Sequence, residues 1–141
     1  SPILMLSLWR MPGKIEREKK MSGIELIAYE RLRQVEAERY STKHDDAHVD
    51  GQLLSAALCY AGVERLVMMG APVSRNTPPL EWPWAEADWK PTDDAIRNLV
   101  KAGALIAAEI DRLQRIRAAA DQKCPECGFA HAPGGNTCCD R

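Results

Sequence analysis

No apolar stretch in the sequence approaches the ~20 residues that span a bilayer. Ile3 to Leu8 is far shorter, and Leu105 to Ala108 is shorter still. A membrane span is therefore not expected. Neither sign of charge is in excess, because 19 basic and 20 acidic residues leave a formal net charge of -1. No global field draws the chain to DNA, RNA or an anionic membrane, so any nucleotide contact has to be local. Cysteine is scarce outside one end: four of the five fall in the last eighteen residues, and Cys59 stands alone in an apolar helical pattern. A secreted disulfide framework would spread them along the chain. A secretory signal is not legible either, since the apolar stretch comes before the positive charges and no small residues follow it. These absences point to a soluble protein of a reducing cytoplasm.

What is present fits one globular domain. The chain has 141 residues, 45% hydrophobic and 28% charged with both signs interspersed, enough to bury roughly two thirds of the surface that the unfolded chain exposes. Residues 1 to 20 read as a flexible N-terminal extension. The purine-rich codons of Glu16-Arg17-Glu18-Lys19-Lys20 before Met21 also fit a translated ribosome-binding site with Met21 as the natural start. Residues 21 to 121 read as the helical domain, and 122 to 141 as a cysteine-rich tail. The fold class expected is mainly α with minor β.

In the domain, Ile24, Ile27, Ala28, Leu32 and Val35 recur at helical spacing between Gly23 and Tyr40, with charge opposite. A polar loop follows from Ser41 to Gly51, in which Asp50 is placed to cap a second helix from Gln52 to Ala61 or on to Met69. Residues 70 to 92 hold Pro72, Pro78, Pro79, Pro83 and Pro91 together with Trp82, Trp84 and Trp89. Regular structure cannot persist through those prolines, yet each indole needs burial or a stacking partner, which predicts an ordered loop wrapped over the helices. Thr92 or Asp93 is placed to cap a third helix reaching about Ala120. It carries an apolar stripe (Ile96, Leu99, Val100, Gly103, Ile106, Ile110, Leu113) opposite a mixed one (Asn98, Lys101, Leu105, Ala108, Arg112, Arg115). One face is expected to build core, and the other to carry function or an interface.

Three groups of residues carry candidate chemistry. Cys124, Cys127, His131, Cys138 and Cys139 offer up to five ligands where four suffice for a tetrahedral structural zinc, with Gly134-Gly135 letting the chain double back. A tail of free thiols and a redox role are the other readings. His44, Asp45, Asp46, His48 and Asp50 resemble a divalent-metal site, completed by Glu30, Glu36, Glu38, Glu109 or Asp111 from other helices. Helix capping and loop hydrogen bonds use the same residues. Finally, Trp82, Trp84 and Trp89 with Asn98, Lys101, Arg112 and Arg115 make a plausible nucleotide pocket, in which rings stack on a base, Asn reads an edge and Arg clamps a pyrophosphate. Core tryptophans with a solvated arginine face are the alternative.

The segments Glu30-Arg31-Leu32-Arg33-Gln34, His44-Asp45-Asp46-Ala47-His48, Trp82-Pro83-Trp84 and Trp89-Lys90-Pro91, with the helix from Arg97 to Leu113, resemble a recurrent group of small phage and prophage proteins. Within that group the chain is similar to the Thoeris anti-defence one family, phage sponges that sequester cyclic ADP-ribose isomers made by bacterial TIR-domain immune enzymes. Some members also bind cyclic oligonucleotides. The resemblance covers about residues 23 to 117 and leaves out the cysteine tail. It implies a protein of the infected host's cytoplasm that binds without turnover and is not an enzyme. Trp89 would stack on the ligand, Asn98 contact it and Arg115 meet its phosphates, with Trp84 and Arg112 as near alternatives. Enclosing such a ligand implies a homodimer or larger assembly, with the mixed stripe of the last helix near the interface. The competing expectations are a metal-dependent nucleotide pyrophosphohydrolase using the His-Asp loop, and a zinc-tailed interaction adaptor.

Overall fold

The computed structural model describes residues 20–122 and, apart from these, Gly128. The N-terminal extension up to residue 19 and the candidate zinc ligands Cys124, Cys127, His131, Cys138 and Cys139 lie outside the described residues. Within them the chain is mainly helical: α1 is Gly23–Ala37, α2 Thr42–Asp46, α3 Gln52–Met68 and α4 Ala95–Asp121, with one 3-10 turn at Glu86–Asp88. No strand occurs among the described residues, so the minor β component expected from the sequence is not found there. No helix among them is long and apolar enough to cross a membrane.

Local chemistry sets the helix ends. Ser22 and Glu25 form a reciprocal capping box that starts α1. Its end is a reversal at Arg39, held at φ 56°, where the Tyr40 N–H donates to Gln34 O at 3.1 Å. The polar stretch read as a loop closes into α2, because the Ser41 hydroxyl accepts from the His44 N–H. The cap expected from Asp50 is not made. Gly51, at φ 76°, is the N-cap of α3, and the Asp50 N–H donates instead to Gln52 Oε1. At α4 the cap is Asp94 rather than Thr92 or Asp93, accepting from the Ile96 N–H at 3.0 Å.

α4 is the hub, packing chiefly on α3 and α1 and more lightly on α2. The core joins Leu53, Ala56, Ala57, Cys59, Tyr60 and Val63 of α3 to Ala102, Leu105 and Ala108 of α4 and to Trp89 of the loop. The alanines let α3 and α4 approach closely. Gly103 does the same for α1, since a Cβ there would sit 2.5 Å from Ile27 Cδ1.

Polarity is inverted relative to the expectation for α4. Asn98, Leu105, Ala108 and Arg112 of the mixed stripe are buried, whereas Ile96, Leu99, Ile106, Ile110 and Leu113 of the apolar stripe are 40 to 50% exposed. Only Val100 of that stripe belongs to the interior. α1 behaves alike, burying Glu30 and Gln34 and exposing Ile24, Leu32 and Val35. The buried polar groups are tolerated because each has a partner: Glu30 with Arg33 and Arg97, Glu64 with Arg75, Glu109 with Arg112, and Asp45 with Arg31.

The loop from residue 70 to 92 is tied down at three points. Trp89 is 7% exposed and its Nε1–H donates to Arg75 O at 2.8 Å. Arg75 forks onto Glu64 at 2.8 and 2.9 Å. Asn98 accepts from the Thr92 N–H and donates to Thr92 O and to Glu64 Oε1. These anchors fix where the other two indoles stand.

Candidate functional site

A cavity of about 290 Å³ opens between the loop and the helices. That is near the lower limit of the ~300–1,000 Å³ usual for small-molecule sites. α1 contributes Glu30, Arg33 and Gln34, its C-cap Glu38 follows, and α3 contributes Leu53 and Tyr60. Tyr40, His44 and His48 come from the α2 region, Trp82, Trp84, Asp88 and Lys90 from the loop, and Lys101 and Leu105 from α4.

Its aromatic residues form a continuous chain of ring contacts. Tyr40 stacks on His44 at 4.6 Å and 6°, His44 meets His48 edge-on at 4.8 Å, and His48 tilts onto Trp84 at 5.1 Å. Trp84 meets Trp82 edge-on at 5.3 Å, and Trp82 continues to Tyr60. Behind them Tyr60 stacks on the buried Trp89 at 4.5 Å. The reversal at Arg39 and the cap at Ser41 place Tyr40 and His44 at one end of this chain, while the anchored loop places Trp84 and Trp82 in its middle. Such a wall suits a planar ring.

The opposite wall is ionic. Glu30 is fully buried, bound by the Arg33 fork at 2.9 and 2.9 Å and by Arg97 at 2.7 Å, and Arg33 also reaches Glu38 at 2.7 Å. Burial alone would raise the Glu30 pKa, but Arg33 and Arg97 outweigh it and hold the carboxyl below its usual range. Lys101 donates to Lys90 O and lies over the Tyr60 ring, 5.7 Å from its centroid. Among the described residues no carboxylate salt-bridges it, and burial followed by the nearby Arg97 pushes its pKa down. The cavity thus joins a stacking wall to an ammonium group that has a dipole partner and, among the described residues, no salt bridge, although the Glu30 and Glu38 carboxylates are close enough to favour its charged form. His48 Nε2 is buried without a hydrogen-bond partner, and burial, then His44, lowers the imidazole pKa.

The structure divides the nucleotide-pocket residues expected from the sequence. Trp84 and Lys101 line the cavity. Trp89 does not, because its ring is committed to the core behind Tyr60. Asn98 is 2% exposed, with its amide spent on Thr92 and Glu64. Arg112 is buried in a two-point pair with Glu109, and Arg115 reaches across to Asp46 at 2.7 Å. Neither lines the cavity. The residues that sequence reasoning missed are Tyr40, Tyr60, Arg33 and Gln34. Arg33 and Gln34 sit on α1, Tyr60 on α3 and Tyr40 between α1 and α2, and nothing in their spacing distinguishes them from packing residues.

The His-Asp stretch is dispersed as a metal site. Asp45 turns to Arg31, Asp46 to Arg115, Glu30 to Arg33 and Arg97, and Glu109 to Arg112. Among the described residues no three His, Cys, Asp or Glu side chains converge as metal ligands. His44 and His48 serve instead as rings of the aromatic wall. No known protein family, curated protein or solved structure matches the chain.

Proposed function

We propose that the protein binds a nucleotide-like small molecule in this cavity and holds it without converting it. A base would stack against Trp84 with His48 and Trp82 around it, and an anionic group would meet Lys101. The observation that carries the reading is the joining of a ring-lined wall to an ammonium that, among the described residues, makes no salt bridge. Stacking contributes on the order of 1–3 kcal/mol per base. The resemblance to the Thoeris anti-defence one family gives the ligand class: a cyclic ADP-ribose isomer or cyclic oligonucleotide, sequestered in the infected host's cytoplasm so that TIR-dependent immunity is not triggered. A ligand of that size would fill the cavity and project from its mouth, in keeping with a homo-oligomer that completes the enclosure. Hydrolysis is the weaker reading, since Glu30, Glu38, Asp45, Asp46 and Glu109 are each bound to an arginine.

Titration with a panel of cyclic ADP-ribose isomers and cyclic oligonucleotides, read by tryptophan fluorescence, tests the site. Trp84→Ala is expected to weaken binding about ten- to a hundredfold, at about 1.4 kcal/mol per tenfold. Lys101→Ala is expected to weaken it as well, and Arg115→Ala to leave it unchanged. Loss of binding in Arg115→Ala with retention in Trp84→Ala would move the site away from the cavity.

A further inference from the structure

The charged side chains around the cavity fall into two groups. Glu30, Glu38, Arg33 and Arg97 form a closed set: the Arg33 fork takes both oxygens of Glu30 and reaches Glu38, and Arg97 takes Glu30 as well. Two carboxylates and two guanidinium groups leave no net charge. The shape of Arg33 would suit a pyrophosphate, yet its fork is spent on Glu30. Freeing it would strand a carboxylate that is 0% exposed, which costs more than a surface contact returns.

The second group is Asp88, Lys90 and Lys101. With the imidazoles neutral, two ammonium groups against one carboxylate leave a single positive charge. Asp88 and Lys90 are exposed and opposite in sign, so the cation inside is Lys101, which is half-buried. An ammonium has three donors. Lys90 O takes one of them, and the others are left for an anion. Lys101 also lies over the Tyr60 ring, which meets Trp82 edge-on, so the charge stands next to the ring wall.

We infer that the cavity selects a ring carrying one negative charge, and that Lys101 is the residue that reads it. The inference rests on the cavity being a nucleotide site and names the unit it takes: a nucleoside cyclic monophosphate, with one base to stack and one phosphodiester charge. A second charge inside would face Glu38 or Asp88 with no further half-buried ammonium among the described residues to meet it, in a partly enclosed site where repulsion is poorly screened. The volume of about 290 Å³, at the small end for ligand sites, suits one such unit. A larger cyclic nucleotide would place one ring and one phosphate inside and keep the rest at the mouth.

Titration of the full chain at pH 8, read by tryptophan fluorescence, compares nucleosides with their cyclic monophosphates and with the acyclic monophosphates, which take a second charge near a pKa of about 6. The cyclic monophosphate of at least one base is expected to bind about tenfold tighter than either its nucleoside or its acyclic monophosphate. Lys101→Met is expected to erase the advantage over the nucleoside. Should that variant not fold, the ligand series on the parent chain still decides the matter. A nucleoside bound as tightly as its cyclic monophosphate, or an acyclic monophosphate bound more tightly, would overturn the inference. Binding of a cyclic ADP-ribose isomer without any cyclic monophosphate would overturn it and leave the nucleotide reading standing, whereas binding of neither kind would overturn both.

Discussion

The amide of Asn98 spends its hydrogen-bonding capacity inside the chain, tying the N–H and C=O of Thr92 to Glu64. This residue joins the proline-rich loop to α4, so its loss acts on the fold before it acts on any ligand. Asn98→Ala leaves the Thr92 N–H unpaired and is expected to cost about 2–3 kcal/mol, measured by urea unfolding. A cost below about 0.5 kcal/mol would show that Asn98 is free for another role. The sequence marks Asn98 as a polar residue in a helical register, which is how a ligand-reading asparagine also looks. Its buried partners come from 34 residues away at Glu64, a separation that spacing cannot reveal. Trp84 and Lys101 were legible because a ring amid prolines and a cation on the neighbouring helix have few purely local uses.

At the level of the elements, periodicity located α1, α3 and α4 and left their orientation open. Two stripes on one helix are equally good candidates for the inside, and the usual rule picks the apolar one. Here the rule fails because Glu30, Glu109 and Arg112 are buried as pairs and the alanines of α3 and α4 leave little room for large aliphatics. Cap positions shifted by one or two residues for a simpler reason: Thr92, Asp93 and Asp94 are all competent caps by residue type, and it is Asp94 that takes the N-cap position. The five-residue α2 is too short for a periodic signal, although its start rests on Ser41, a strong capping residue. Tyr40 reached the site through the left-handed reversal at Arg39, a conformation that the sequence gives no reason to expect of arginine.

For the whole molecule, burying ions makes stability depend on pH with a defined sign. Arg75 and Arg112 hold Glu64 and Glu109 below their ordinary value of 4.5, and Glu30 is low because its arginines outweigh its burial. Their stabilisation is complete above about pH 4.5 and is lost as the pH falls through the lower, folded values. His48 is depressed from 6.5 by burial and then by His44. Between pH 6.5 and its folded value the unfolded chain takes a proton that the folded chain does not, and stability declines there first. Thermal unfolding is expected to give its highest midpoint above pH 7, a lower one at pH 5.5 and a lower one again at pH 4. His48→Gln should remove the first decline and keep the second. A midpoint that rises from pH 7 to 5.5 would contradict this assignment.

That the assembled protein retains a cyclic nucleotide intact is tested most directly by capture and release. The purified chain is incubated with the panel of cyclic ADP-ribose isomers and cyclic oligonucleotides, freed of unbound ligand and heat-denatured, and what it releases is identified by chromatography. Recovery of one unaltered ligand near one per cavity, lost in Trp84→Ala, is the predicted result. A converted product, or no retained ligand from any member of the panel, would contradict it.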